Sequence, residues 1–561
     1  MAVESEARAD LPWTRFYDEG VAAHLTYPDI LLHHIVEESA RKYPRLPALI
    51  FFGRQIPYAE LDVLASRFAA GLQRLGVRQG TPVSIHLPNS PQFVIAYYGI
   101  LKTGGIAVPH NPLYTEREIE HQLKDAGVEV AVTLSQFFPR VAAAAGRTGV
   151  RHVVFTGINE YMPPHLRLLY PIKAKREGQW VRVTPRRGVL PFSALLADAP
   201  PQPVAVSSDD PALYQYTGGT TGVPKAAVLT HRNLVYNTLQ AAAWFPGSGH
   251  AGERAMAVLP FFHIYGMTSV LNFSLRLGMA IILVPRFDPE MVLHAVHRHR
   301  PTVFHGVPTM YSTLLNHAKL AHTDMRSIQT CISGAMGLPQ EVQRRWEAVT
   351  GGRLVEGYGL TEAAPITHCT PVVGYRKPGS IGVPFPDTDA RIADAETGRT
   401  LPVGEVGELA VRGPQVMRGY LNRPEETAGV LRDGWLFTGD IARQDPDGFF
   451  FIVDRKKEMI NVGGLKVFPR EVEEVLYEHP AVREAAAIPA PDPMKGEVVK
   501  AYVALREGAA ASPEELIAFC RQRLAPHKVP KAVEFRDTLP KTLIGKILRR
   551  ALVEEDRRSV T

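Results

Sequence analysis

Short apolar runs alternating with helical patterning constrain this chain more than any other feature. "PALIFF", "PVSIHLPN", "VEVAVTLS", "HVVFTG", "AMAVLPFFH", "MAIILVP" and "PTVFHGVP" follow one another along its first part. Strands separated by helices need crossover connections and make a largely parallel sheet buried on both faces. There are more such runs than one sheet comfortably holds, so the expected fold class is α/β, with two stacked α/β sheets in a large N-terminal domain. From about Pro378 the texture turns to β with many turns. "DARIADAETGRTLP" reads as a hairpin around Glu396–Gly398, and "WLFTGDIARQDPDGFFFIVD" as another turning at Asp445–Gly448. A small β subdomain over about 378–453 is expected.

After "DRKKEMINVGG" the pattern changes again. "FPREVEEVLYEHP" predicts a short amphipathic helix, "AVREAAAIP" and "VVKAYVAL" predict strands, and Ser512, Pro513 and Glu515 spell a capping box. The expected division is an N-terminal domain over 1–453, a charged hinge over 454–458 and a mobile α+β domain over 459–561.

Composition narrows the class. A chain of 561 residues is too long for one ordinary domain, and 45% hydrophobic with 21% charged residues is a soluble globular balance. No apolar run approaches the roughly 18 residues that span a bilayer. The acid-rich start "MAVESEARAD" does not read as a signal peptide. Cys331, Cys369 and Cys520 lie too far apart for a zinc or disulfide framework and read as buried thiols in a reducing cytoplasm. A net charge of +6 does not by itself argue for nucleic acid.

"YTGGTTGVPKAAVLTH" concentrates Thr217, Gly218, Gly219, Thr220, Thr221 and Gly222 ahead of Lys225. Glycines let backbone N–H groups turn toward an anion, hydroxyls add donors, and the lysine adds charge. The order is not that of a Walker loop, in which lysine directly follows the last glycine. A plain turn between a strand and a helix is the competing reading. In "EGYGLTEAAP" the glycines leave the Tyr358 ring free to stack on a base, Thr361 can bond phosphate, and Glu362 is a hard oxygen ligand suited to Mg²⁺. A buried tyrosine and a helix-start glutamate would look the same. Asp440, in "LFTGD", can accept from both ribose hydroxyls or simply sit in a turn. Lys546 in "LPKTLIGKILRRAL" follows a permissive glycine, whereas Lys541, Arg549 and Arg550 read as a solvated basic face.

With "SGAMGLP", "YGLTE", "GWLFTGD", "DRKKEMINVGGLKVFPREVE" and "PKTLIGKILRR" in this order behind the threonine–glycine loop, the chain resembles the adenylate-forming superfamily of acyl-CoA synthetases, peptide-synthetase adenylation domains and luciferases. The resemblance covers nearly the whole chain. "VPHNPLYTEREIEHQLKDA", "LPFFHIYGM" and "APDPMKGEVVKAYVALREG" bring it nearest to bacterial long-chain fatty acid–CoA ligases, and "PFFHIYGM" is also similar to aryl-CoA ligases of the coumarate type.

The resemblance implies two half-reactions that use ATP, Mg²⁺ and coenzyme A. A carboxylate and ATP give acyl-AMP and pyrophosphate, and coenzyme A then displaces AMP. By the family's pattern Lys546 bridges the carboxylate and the α-phosphate, and Thr217 through Lys225 hold the departing phosphates. Gly334, Ala335 and Tyr358 belong to the adenine slot, Gly359 to the nucleotide site, Thr361 to phosphate and Glu362 to Mg²⁺. Asp440 and Arg455 fall on the ribose, His263 beside the carboxylate site, Lys457 at the pivot, and Gly463 and Gly464 along a pantetheine tunnel.

Rival classes fare worse. An ATP-driven motor needs Walker order, a nucleic-acid binder needs a basic patch interleaved with aromatics, and a peptide-synthetase module needs a carrier domain and an aspartate near "FFHIYGM". Luciferase-type oxidation stays open, although "RRSVT" lacks a peroxisomal tag. A fatty acid, ATP and coenzyme A are the expected partners, a homodimer is left open, and the expected location is cytoplasmic. One stretch lies outside the shared motifs. Arg167 to Arg187 carries Arg167, Lys173, Lys175, Arg176, Arg182, Arg186 and Arg187 against Glu177 alone, with leucines, Tyr170, Ile172 and Trp180 interleaved. It reads either as a solvated basic loop or as a peripheral contact with anionic membrane at the inner face of the cell.

Overall fold

The structure, a computed structural model, describes residues 11–196, 200–217, 224–247, 250–455, 458–463, 465–492, 494–541 and 547–560. The chain divides into two compact units. One comprises Met1–Pro378, Gly382–Asp389 and Arg412–Gly434, the other Gly379–Ile381, Ala390–Val411 and Trp435–Thr561.

The first unit carries two large sheets, as the apolar runs predict. A nine-stranded sheet has a parallel centre in the order Arg353–Gly359, Thr330–Ser333, Val303–Phe304, Arg254–Ala257, Ala280–Leu283 and Pro47–Phe51. Antiparallel strands Ile366–Cys369 and Arg54–Pro57 flank it. An eight-stranded sheet runs Pro211–Tyr216, Ile106–Pro109, Pro82–His86, Val130–Leu134, His152–Thr156 and Val189–Pro191 in parallel. Beyond Pro211–Tyr216 it continues through the antiparallel strands Ala226–Thr230 and Gly419–Tyr420.

Among the helices of this unit, Pro91–Lys102 is buried at every residue except Lys102. A helix apolar all round has no wet face to offer and belongs between packed layers. Ser90 starts it by accepting from the Phe93 N–H, with Pro91 preset for the first turn. Asp18 ties the beginning of the chain to a distant segment, its carboxylate accepting from the backbone N–H groups of Val372, Val373 and Gly374. Cys331, Cys369 and Cys520 are free and buried, as expected.

In the second unit, strands Asp389–Ala393, Val406–Arg412, Trp435–Gln444 and Phe450–Arg455 form a small β-sheet. The hairpin turn lies where the sequence puts it, closed by Gly448 N–H to Asp445 C=O at 2.9 Å. The remainder is an α+β fold whose sheet contains Val482–Asp492 and Gly496–Leu505, with helices Pro469–Tyr477 and Pro513–Arg521 packed on it. The capping box is present, with Ser512 Oγ accepting from Glu515 N–H at 3.1 Å.

Arg549 corrects its sequence reading. It is not part of a solvated face: its guanidinium donates to both oxygens of Glu473 and to Glu458, with Asp454 at 3.9 Å. These partners lie far away in sequence, so no local pattern reveals them. Lys541 and Arg550 pair with Glu484 and Glu554, both at 2.7 Å.

Candidate active site

The parallel centre of the nine-stranded sheet brings several predicted residues to one edge. In open α/β sheets, ligands bind beyond the carboxyl ends of the strands. Strand Thr330–Ser333 runs directly into Gly334 and Ala335, and its neighbour Arg353–Gly359 ends in Tyr358 and Gly359, with Ser333 opposite Glu356. Strand Arg254–Ala257 points the same way and leads to His263.

Local stereochemistry explains the residues in the expected nucleotide site. A Cβ on Gly334 would stand 3.0 Å from the Tyr265 ring at its hydroxyl end, so the backbone there lies close against that side chain. Ala335 holds φ +67, the left-handed conformation that few side chains adopt. A Cβ on Gly359 would sit 2.2 Å from the Pro365 carbonyl oxygen, which excludes any larger residue. Tyr358 meets the His368 ring edge-on at 5.9 Å.

The threonine–glycine loop spans an antiparallel hairpin and not a strand-to-helix turn. Strands Pro211–Tyr216 and Ala226–Thr230 flank it, with Tyr216 opposite Ala226. Thr217 N–H donates to Lys225 C=O at 2.8 Å, closing the base of the loop. Gly218, Gly219, Thr220, Thr221 and Gly222 lie outside the described residues.

Strand pairing joins this base to Glu362. Gly419–Tyr420 pairs with Ala226–Thr230, and Tyr420 lies opposite Ala227. The Tyr420 hydroxyl donates to Glu362 Oε1 at 2.6 Å, and Met417 N–H donates to Glu362 C=O at 2.7 Å. Lys225 Nζ stands 5.4 Å from the Tyr420 ring centre and 3.8 Å from Glu426. Burial and the Glu362 charge hold the Tyr420 hydroxyl well above its ordinary pKa, so it remains a donor. The structure therefore brings Lys225 and Glu362 to Tyr420, which sequence reasoning missed, while Thr217 is tied to the Lys225 backbone at the base of the loop. Only the register of a two-residue strand marks Tyr420.

The "PFFH" segment is clamped from two directions. The Asn89 amide donates to the carbonyls of Ala257 and Leu259 and accepts from Phe261 N–H at 2.8 Å. Gln215 donates to Phe262 C=O at 2.9 Å. His263 Nδ1 accepts from Tyr265 N–H at 3.2 Å. Burial depresses its pKa to about 4, so the ring is neutral at physiological pH. A π-helical stretch, Met267–Asn272, follows directly, an irregularity frequent at functional sites.

In the second unit, Asp440 and Arg455 face each other across the hairpin, Arg455 Nε lying 3.2 Å from Asp440 Oδ1. Gly463 adopts φ +59 and donates to Lys495 C=O at 2.9 Å. Lys457, Gly464 and Lys546 lie outside the described residues.

Two family models match this chain, "AMP-binding enzyme" over residues 36–421 and "AMP-binding enzyme C-terminal domain" over 471–546. The chain belongs to the AMP-binding enzyme family. Its relatives in the family include a long-chain-fatty-acid–CoA ligase of Bacillus subtilis, 47% identical over 97% of this chain and 98% of that one. A feruloyl-CoA synthase of Amycolatopsis is 38% identical over 91% of this chain and 96% of its own. Among solved structures, ATP-bound MatB from Rhodopseudomonas palustris superposes with a TM-score of 0.84 at 30% identity, covering 95% of this chain and all of that one. The motif order of an adenylate-forming enzyme and the match over both its parts agree.

Proposed function

We propose that this family member activates a long-chain fatty acid with ATP and transfers it to coenzyme A. In the first step a carboxylate oxygen attacks the α-phosphorus while the bond to pyrophosphate breaks, giving acyl-AMP. In the second the coenzyme A thiolate attacks the acyl carbonyl and AMP departs. An anionic nucleophile approaching a polyanion needs positioning and positive charge. The observation that carries the reading is that Tyr420 has Lys225 over its ring and donates to Glu362, with Thr217 bonded to the Lys225 carbonyl. A lysine and a carboxylate meeting on one tyrosine support binding of a metal–triphosphate.

Glu362 fits a divalent cation. Its half-buried carboxylate is fixed by one donor through Oε1, and Mg²⁺ takes one or two carboxylates together with phosphate oxygens. Bound there, the ion would offset phosphate charge. The chain's own residues do the rest: Gly334, Ala335 and Tyr358 receive adenine, Thr361 and the loop hold phosphates, and Asp440 with Arg455 takes the ribose. His263, neutral, lies beside the carboxylate. Lys546 supplies the charge at the reacting phosphorus, the small domain pivots at Lys457, and Gly463 and Gly464 line the path of pantetheine.

Identity to the Bacillus subtilis ligase along nearly the full length of both chains supports a long acyl chain. The feruloyl-CoA synthase relative favours a second reading, an aryl acid in the same pocket. Acid-dependent pyrophosphate exchange followed by a thioester assay tests the reaction. Lys546→Ala is expected to lose exchange by about 10²–10³ while still converting supplied acyl-AMP to thioester. Equal loss of both steps would overturn the assignment of Lys546.

A further inference from the structure

Helix Pro164–Arg176 buries only Ala174. Leu168, Leu169 and Ile172 are 78%, 56% and 55% exposed, and Trp180 beyond the helix is 40% exposed. At about 100° per residue, the three aliphatic side chains lie together on the face turned away from Ala174. Lys173 and Lys175 flank that face on opposite sides, with Arg176 between them. A soluble helix normally turns such residues inward and its lysines outward. Here the inward side is a single alanine.

The helix is built to hold this attitude. Pro171 has no N–H to give the Arg167 carbonyl, and Asn159 Nδ2 donates to that carbonyl instead, at 3.2 Å. The basic loop that follows is anchored where Arg186 and Val189 exchange backbone hydrogen bonds at 2.8 and 3.0 Å, at the edge of the eight-stranded sheet. Between Arg167 and Arg187 the single acid is Glu177, 3.8 Å from Lys173. Beside the helix opens a recess of about 520 Å³ lined by Arg54, Asn159, Met162, Pro164, Arg167 and Leu168. Two guanidiniums over apolar walls suit an anionic group attached to hydrocarbon, although Arg54 also lies 3.5 Å from Glu60.

We propose that this face docks on an anionic lipid bilayer, with Leu168, Leu169, Ile172 and Trp180 entering the headgroup–acyl boundary, Lys173, Lys175, Arg176 and the basic loop beyond resting on lipid phosphates, and Arg167 lining the recess beside them. Tryptophan, with aliphatic side chains beside lysine and arginine, favours the membrane–water interface. Charge decides between occupants: a second copy would set seven like charges against seven, whereas an anionic leaflet attracts each of them. The proposal deepens the fatty-acid reading, since long-chain acids partition into bilayers, and docking there would raise their concentration at the enzyme.

The test is flotation of the full-length protein with phosphatidylcholine vesicles, with and without phosphatidylglycerol, at low and high salt and without substrate. The parent is expected to float with the phosphatidylglycerol vesicles at low salt and to leave them at high salt. Leu168→Ser/Leu169→Ser/Ile172→Ser, and separately replacement of the seven basic residues by Gln, should each weaken binding at least tenfold. Turnover of a short soluble acid should remain unchanged. Undiminished binding by either variant, equal binding to vesicles without anionic lipid, or no binding by the parent overturns the proposal. So does a parent that sediments as a dimer and is made monomeric by the serine substitutions, which would assign the face to a second copy. Because floating is read without substrate, failure of the fatty-acid reading would leave this result standing, and the converse.

Discussion

The Tyr420 hydroxyl donates to Glu362 Oε1 at 2.6 Å, joining two residues 58 positions apart. The bond orients the carboxylate beside the base of the threonine–glycine loop. A hydrogen bond to a charged group contributes about 1.5–3 kcal/mol, so Tyr420→Phe is expected to lower the rate of pyrophosphate exchange roughly 10- to 100-fold. The Mg²⁺ requirement should move to higher concentration, because an unoriented ligand binds more weakly. Titrating exchange against Mg²⁺ checks this. An unchanged Mg²⁺ dependence would reduce Tyr420 to a packing residue.

Asp440 and Arg455, 3.2 Å apart, are the residues proposed to take the ribose. Asp440→Ala should raise the KM for ATP by about 10- to 100-fold, the worth of one charged hydrogen bond. The sharper readout uses 3′-deoxy-ATP. The parent should discriminate strongly against it and the variant scarcely at all. Equal discrimination by both would place the ribose elsewhere.

Arg549 joins Glu458, Glu473 and Asp454 in a largely buried cluster. Arg549→Ala strands carboxylates without their counter-charge, and breaking such a cluster costs about 3–5 kcal/mol. Arg549→Lys should recover only part of this, because an ammonium cannot serve both oxygens of Glu473 as the guanidinium does. Urea denaturation followed by a probe in the C-terminal region measures it. A loss below about 1 kcal/mol would match a surface pair and contradict the burial.

These residues show what a linear reading can and cannot reach. Strands such as Pro82–His86 and Val130–Leu134 are legible because a strand buried on both faces must be a continuous apolar run. The Ser512 cap is legible because its chemistry is complete within four residues. Arg549 was misread because its partners are 76 and 91 residues away, and neighbouring lysines and arginines suggest a wet face. Tyr420 escaped because nothing local distinguishes it; the pairing of its strand with Ala226–Thr230 gives it its place. The hairpin nature of the loop escaped for a similar reason, since the apolar run after Lys225 merges into the following helix with no break in composition. Gly334 and Gly359 were singled out through resemblance, and the stereochemical reason they are glycines, close approach to Tyr265 and Pro365, is tertiary.

Several buried histidines predict how stability responds to acid. Burial lowers the pKa of His86, His110, His305 and His368 to about 3 and that of His231 to about 4. Their rings stay neutral in the folded protein, while the unfolded chain takes up protons as pH falls below about 6.5. The stabilisation is therefore complete above about pH 6.5 and is lost as pH falls from there toward 4 and below. The urea midpoint should decline over this range, before most carboxylates titrate. His305 packs edge-on against Phe245 and Phe273, and neither ring nitrogen has a hydrogen-bond partner among the described residues. His305→Phe should make the decline shallower by about 1.4 kcal/mol per pH unit. A midpoint flat from pH 7 to 4.5 would mean that these rings titrate normally.

The central claim, a ligase for long acyl chains, is tested most directly by kcat/KM for acyl-CoA formation across saturated acids of increasing length, with ferulic acid as the aromatic comparison. Each further enclosed methylene contributes about 0.8 kcal/mol, close to fourfold, so efficiency should climb steeply from short to long acids and level off when the pocket is filled. The account predicts a maximum on a long-chain acid, with AMP and pyrophosphate formed in step with the thioester. A maximum on acetate or on ferulic acid, or thioester formation without AMP, would contradict it.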